Sequence, residues 1–132
     1  MSEFKDIIGK VREFHDVFGL GAHEDPVAHI GDGQVALRHR LMAEENDEYL
    51  DAALNNDLTL VADALGDKLY ILCGTIIAHG LQHKIVEVFE EIHRSNMSKL
   101  DSQGKPVVRE DGKILKSALY FPPNIAAVLS KE

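Results

Sequence analysis

Two short runs of acid, set into the apolar stripes of two successive helices, constrain this chain more than any other feature. In "LMAEENDEYL", Glu44, Glu45 and Glu48 fall within one ~100° sector of a helix, and Leu37, Leu41 and Ala52 share that sector. In "LVADALGDKLY", Asp63 and Asp67 are an i,i+4 pair on the face that carries Leu60, Tyr70, Ile71, Gly74 and Ala78. Only the turn "NND" separates the two helices, so they fold back as antiparallel neighbours and their acids meet. Like charges ~5 Å apart at an effective dielectric of about 20 repel by roughly 3 kcal/mol, against a domain stability of about 5–15 kcal/mol. The pairing needs compensation by protons, basic partners or a cation, and the helices offer few inward basic residues. A hard divalent cation is the simplest answer. Donors that are all oxygen, with no histidine or cysteine, favour Mg²⁺ or Mn²⁺ over Zn²⁺. Asp47 and Asp51 point away from the apolar sector and read as solvated.

The rest of the chain supplies a helical frame. Phe4, Ile7, Ile8, Val11, Phe14 and Phe18 follow helical spacing, which predicts a helix over 3–18 with Ser2 as N-cap and Gly19 as the stop. The segment "GLGAHEDPVAHIGDG" has no periodicity and is longer than most connections, so it reads as a lid, with His23 and His29 either exposed or touching substrate. The acid-bearing helices are expected over 32–55 and 57–79, the second capped by Asp57, ended by Gly80 and apolar nearly all round after Lys68, as in the middle of a bundle. A helix over 82–98 is expected to bury Ile85, Phe89 and Ile92. Asn96 and Lys99 extend that line as a polar rim. "DSQGKPVVREDGKILKS" reads as a small hairpin or ordered loop in which Lys105, Arg109, Lys113 and Lys116 form a local basic cluster, and "YFPPNIAAVL" adds a short apolar segment. The fold class is all-α: a four- to five-helix antiparallel bundle with a short C-terminal hairpin or loop extension, in a single domain over residues 1–132.

Composition narrows the function classes. Fourteen basic against 22 acidic residues give a net charge of −8, which argues against general nucleic-acid or anionic-membrane binding. The single cysteine, Cys73, lies in "LYILCGTIIA" and reads as core filler. The start "MSEFKDIIGK" is charged early, and no apolar run reaches the ~18 residues of a membrane span, so a cytoplasmic protein is expected.

The pattern E-E-x-x-E, a short loop, then a helix of the "ADALGD…YILCGT" kind resembles the all-α NTP pyrophosphohydrolases. This MazG-like group includes dimeric dUTPases and phosphoribosyl-ATP pyrophosphohydrolase. The resemblance runs from about Leu37 to Tyr120 and takes in "EVFEEIHRSNMSKLD" and "GKPVVREDGKILKS". It implies that the acids hold Mg²⁺ on a nucleoside triphosphate, that water releases pyrophosphate, and that the protein is at least a symmetric dimer. Asp67 matches the family's second motif, usually E-x-x-D. Ala64 stands where the glutamate is usual, and Asp63 is its shorter substitute.

The expected reaction is Mg²⁺-dependent hydrolysis of a nucleoside triphosphate, foremost a deoxynucleotide, to monophosphate and pyrophosphate, with Mn²⁺ as an alternative ion. Glu45, Glu48, Asp63 and Asp67 are the expected ligands, and Glu44 is a ligand or the general base on water. Asn96 and Lys99, in an "SN-x-x-K" run that resembles the family's, are expected on phosphate. Arg38 and Lys113 are further substrate-binding candidates, and Arg38, His39 and Arg40 stand where they pair with the acids or reach phosphate. The rival reading is a non-catalytic helical module that binds a nucleotide or a structural metal. One E-x-x-H, Glu90 with His93, falls short of the two that a di-iron bundle requires.

Overall fold

The acidic helices do pair as the "NND" turn demands. In a computed structural model that describes residues 3–131, α2 (Asp32–Leu54) and α3 (Leu58–Ala78) form an antiparallel hairpin, and α1 (Glu3–Val17) packs on α3. The turn is written in local chemistry. Asn56 takes the left-handed conformation at φ 55°, which asparagine tolerates better than most residues, and the Asp57 carboxylate accepts from the Leu60 N–H at 3.0 Å as N-cap of α3. Gly19 and Gly80 end α1 and α3 at positive φ, as the sequence predicts. Ser2, the predicted cap of α1, lies outside the described residues. Ile8 and Val11 from α1, Ala52 from α2, and Ala64, Cys73, Ile76 and Ile77 from α3 are buried. Burial also raises the pKa of the Cys73 thiol, as befits core filler.

The chain divides into two compact units, Met1–Gln82 and His83–Glu132. The first holds α1 to α3. The second holds α4 (Ile85–Met97), a two-stranded antiparallel sheet of β1 (Val107–Val108) and β2 (Ile114–Leu115) in the register Val107↔Leu115, and α5 (Ile125–Ser130). The chain is thus all-α with a short C-terminal hairpin extension. Among the described residues no helix is long and apolar enough to cross a membrane.

Three expectations need correction. The connection from 19 to 31 is no free lid. The last carbonyls of a helix lack intrahelical partners, and this segment supplies them: the His23 N–H donates to the Ile77 carbonyl and the Val27 N–H to that of His79. The His23 Nδ1 lies 2.7 Å from the Ala78 carbonyl oxygen, and His79 returns the bond through Nδ1 to the Val27 carbonyl at 2.9 Å. The fit is tight enough that a Cβ on Gly80 would stand 2.0 Å from the Asp25 carbonyl oxygen. His29 is exposed. The second correction concerns α3, which is not covered on every side: Ala64 and the run from Cys73 to Ala78 are largely buried, but Leu65, Leu69 and Leu72 stay exposed. The third concerns α4. Ile85 is half-buried, but Phe89 is 63% exposed and Ile92 40%, because inside its unit α4 packs on the six-residue α5 and turns Ser95 inward. There the Ser95 hydroxyl donates to the Phe121 carbonyl, and Arg94 lies 4.6 Å over the Phe121 ring.

Candidate metal centre

Glu45, Glu48 and Asp67 each offer an oxygen, and all three oxygens lie within 4.8 Å of one another. Helical geometry brings them there. Glu45 and Glu48 are three apart on α2, hence neighbours on one face, and the antiparallel turn sets Asp67 of α3 opposite. The three glutamates of the predicted inward sector are not equivalent. Glu45 is half-buried, whereas Glu44, Glu48, Asp63 and Asp67 are exposed, since the edge of the hairpin leaves the flanks of the sector open to water.

Glu45 carries the strain of the arrangement. Its Oε2 is buried and has no hydrogen-bond partner. Burial, then the neighbouring Glu48 carboxylate, then the charges of Asp67 and Asp63, push its carboxyl up to about 7. A buried carboxylate oxygen without a donor is rare and asks for a proton or a cation. A hard divalent ion fits the residues present. Oxygens on one Mg²⁺ at about 2.1 Å stand up to about 4.2 Å apart, so small side-chain rotations bring this set onto one centre.

The other predicted residues fall as follows. Asp63 is outside the three-oxygen set but close enough to raise the Glu45 pKa, and with Glu48, Asp51 and Asn55 it lines an open pocket beside the set. Glu44 is also outside the set. Arg38, read from sequence as a phosphate contact, is 7% exposed and turned into the first unit, with its guanidinium on Thr75 and the Ile71 carbonyl. His39 and Arg40 are exposed. Asn96, exposed, and Lys99, half-buried, sit at the end of α4 in the second unit, and Lys113 is exposed on the hairpin. The basic cluster is partly neutralised: Arg109 forms a two-pronged pair with Asp111, holding the Asp111 carboxyl below its ordinary range, and Lys116 lies over the Tyr120 ring. Glu90 and His93 are exposed and belong to no metal-sized group among the described residues.

Sequence reasoning missed the ties that hold the hairpin together. Lys68 donates to Asn46 Oδ1 across the two helices at 2.6 Å, and Arg38 reaches α3 a few turns away. One signal for Arg38 was present. It stands seven residues, two turns, before Glu45 on the same face.

Residues 11–96, well over half of the chain, match the model of a protein family described as phosphoribosyl-ATP pyrophosphohydrolase. The match begins within α1 and stops near the end of α4, so it takes in every acid of the cluster and leaves the C-terminal hairpin outside. A comparison with curated proteins returns no match.

Proposed function

The chain belongs to the phosphoribosyl-ATP pyrophosphohydrolase family, hydrolases that release pyrophosphate from a nucleotide, and on that premise we propose a Mg²⁺-dependent enzyme that converts a nucleoside triphosphate, foremost a dNTP, to monophosphate and pyrophosphate. One observation carries the metal part of this reading: carboxylate oxygens of Glu45, Glu48 and Asp67, from two helices, lie within 4.8 Å of one another, and the Oε2 of Glu45 is buried without a partner. In this reading Glu45, Glu48 and Asp67 hold the ion, with Asp63 as a further ligand. Once held there, Mg²⁺, or Mn²⁺ in its place, would supply positive charge against the phosphates and Lewis acidity toward water. Glu44, exposed beside the ligands, is the general base that takes a proton from the attacking water. Asn96 orients phosphate by hydrogen bonds, while Lys99 and Lys113 balance its charge. The active form is a single domain, residues 1–132, in a homodimer or higher assembly in the cytoplasm. The many exposed leucines of α2 and α3, Leu50, Leu54, Leu58 and Leu60 among them, support assembly, since large apolar surfaces seldom stay in water.

The family match favours a second reading of the substrate, phosphoribosyl-ATP itself, cleaved to release the same pyrophosphate. A panel of NTPs, dNTPs and phosphoribosyl-ATP with Mg²⁺, scored separately for pyrophosphate and orthophosphate, tests both. Pyrophosphate from at least one substrate, stopped by EDTA, is expected. Orthophosphate beside a nucleoside diphosphate would overturn the reaction. Binding without turnover across the panel would establish the rival, a non-catalytic module. Light scattering that finds a fully active 14.6 kDa monomer would remove the assembly.

A further inference from the structure

Arg38 is 7% exposed, and its guanidinium grips one turn of α3 at two points. Its Nε donates to Thr75 Oγ1 at 3.0 Å and its Nη2 to the Ile71 carbonyl at 2.9 Å; the Thr75 hydroxyl donates to that same carbonyl at 2.9 Å. Among the described residues no carboxylate forms an ion pair with it. A buried guanidinium without a counter-charge is a costly choice if its only task is to fill space. Its forked donors supply the reason, because they bind helix α3 in one geometry.

Gly74 makes that geometry unusually tight. A Cβ there would stand 2.6 Å from Arg38 Nη2 and 2.7 Å from His15 Nε2. His15 is itself fixed, 3% exposed, with Nδ1 3.0 Å from the Gly21 carbonyl oxygen. The guanidinium therefore rests against the α3 backbone with a buried ring beside it.

The spacing then links this contact to the acids. Arg38 precedes Glu45 by seven residues on α2, and Gly74 follows Asp67 by seven on α3. Seven residues are about 10.5 Å and close to two full turns, so on each helix the two positions share a side. In an antiparallel pair, Arg38 against Gly74 and Glu45 against Asp67 are two rungs of one register. Sliding either helix by one residue, about 1.5 Å with a rotation of about 100°, takes Arg38 off both acceptors and Glu45 away from Asp67 together.

We infer that Arg38 is a positioning residue for the metal centre, fixing the α2–α3 register in which the Glu45, Glu48 and Asp67 oxygens converge; the inference rests on the metal reading above. Its test is Mn²⁺ binding by calorimetry, with no nucleotide present. The proteins are wild type, Glu45→Gln, Arg38→Met, Thr75→Val and, as a stability control, Val11→Ala, which truncates a buried α1 residue outside the tie. At a temperature where circular dichroism shows each protein folded, Arg38→Met should bind Mn²⁺ roughly tenfold more weakly, the lower end of what displaced supporting groups cost a metal site. Thr75→Val should weaken it in the same direction by less, and Val11→Ala should lower the melting temperature with wild-type Mn²⁺ affinity. Wild-type affinity in Arg38→Met would overturn the inference and leave the metal centre standing. Should Arg38→Met fail to fold, Thr75→Val decides, and unchanged Mn²⁺ affinity there overturns it. Wild-type affinity in Glu45→Gln would instead remove the metal centre itself, and the inference with it.

Discussion

Glu45 of α2 and Asp67 of α3 present carboxylate oxygens within 4.8 Å of each other, across a helix hairpin that offers the buried Glu45 oxygen no donor. The juxtaposition works against folding. Two carboxylates so close raise each other's free energy when both are ionised, and burial of one adds to it. Functional sites are where such costs persist.

Removing one member should therefore separate function from stability. Glu48→Gln or Asp67→Asn should abolish pyrophosphate release yet leave the protein in EDTA as stable as wild type or slightly more so. Both side chains are exposed, so screening limits the relief to about 0–1 kcal/mol. Excess Mg²⁺ should raise the melting temperature of wild type but barely that of either variant. Variants that melt far below wild type in EDTA would show these acids to be structural partners.

Glu45 sets a pH dependence. Its carboxyl is raised from the ordinary 4.5 to about 7, so in the metal-free protein the folded state binds a proton that the unfolded state has released. The associated stability is complete below about 4.5 and is lost as the pH rises through about 7. In EDTA the melting temperature should fall between pH 5 and 8 through this group, and Glu45→Gln should flatten that fall. Metal binding, which displaces the proton, should strengthen over the same interval. An identical pH profile in wild type and Glu45→Gln would disprove the assignment.

Lys99 tests the phosphate end of the proposal. Lys99→Ala should lower kcat/KM by about 1.5–3 kcal/mol, the range for hydrogen bonds to charged groups, with little change in melting temperature. Normal kcat/KM in the variant takes Lys99 out of the site.

The 19–31 connection should behave as a strap. His23→Ala leaves the Ala78 carbonyl without its side-chain donor, and urea unfolding should show a loss of about 1–3 kcal/mol. Gly80→Ala should cost at least as much, since φ 67° disfavours a side chain and the Asp25 carbonyl occupies its place. A His23→Ala protein with unchanged stability and reduced turnover would restore the lid.

What the sequence by itself determined was local. Helical spacing of Phe4 to Phe14, the Asp57 cap, the Gly19 and Gly80 stops and the "NND" turn lie within a few residues of the backbone they direct, and the α1 to α3 boundaries follow from them almost to the residue. The pairing of the acids was equally legible, because a short turn between two helices permits little besides an antiparallel hairpin. Tertiary structure alone decided the rest. Periodicity places Glu44, Glu45 and Glu48 in one sector, yet only the approach of α3 selects Glu45 for burial. Arg38 reads as a cation for phosphate until Thr75 and Ile71, more than 30 residues on, take its donors, and His23 reads as a loop histidine until it meets the Ala78 carbonyl, 55 residues away. Phe89 shows the converse: its spacing marks an inward face, but a stripe is buried only where a partner element is large enough to cover it, and α5 is six residues long. A side chain's type and spacing fix what it can bind; which group it does bind depends on contacts between segments far apart in the chain.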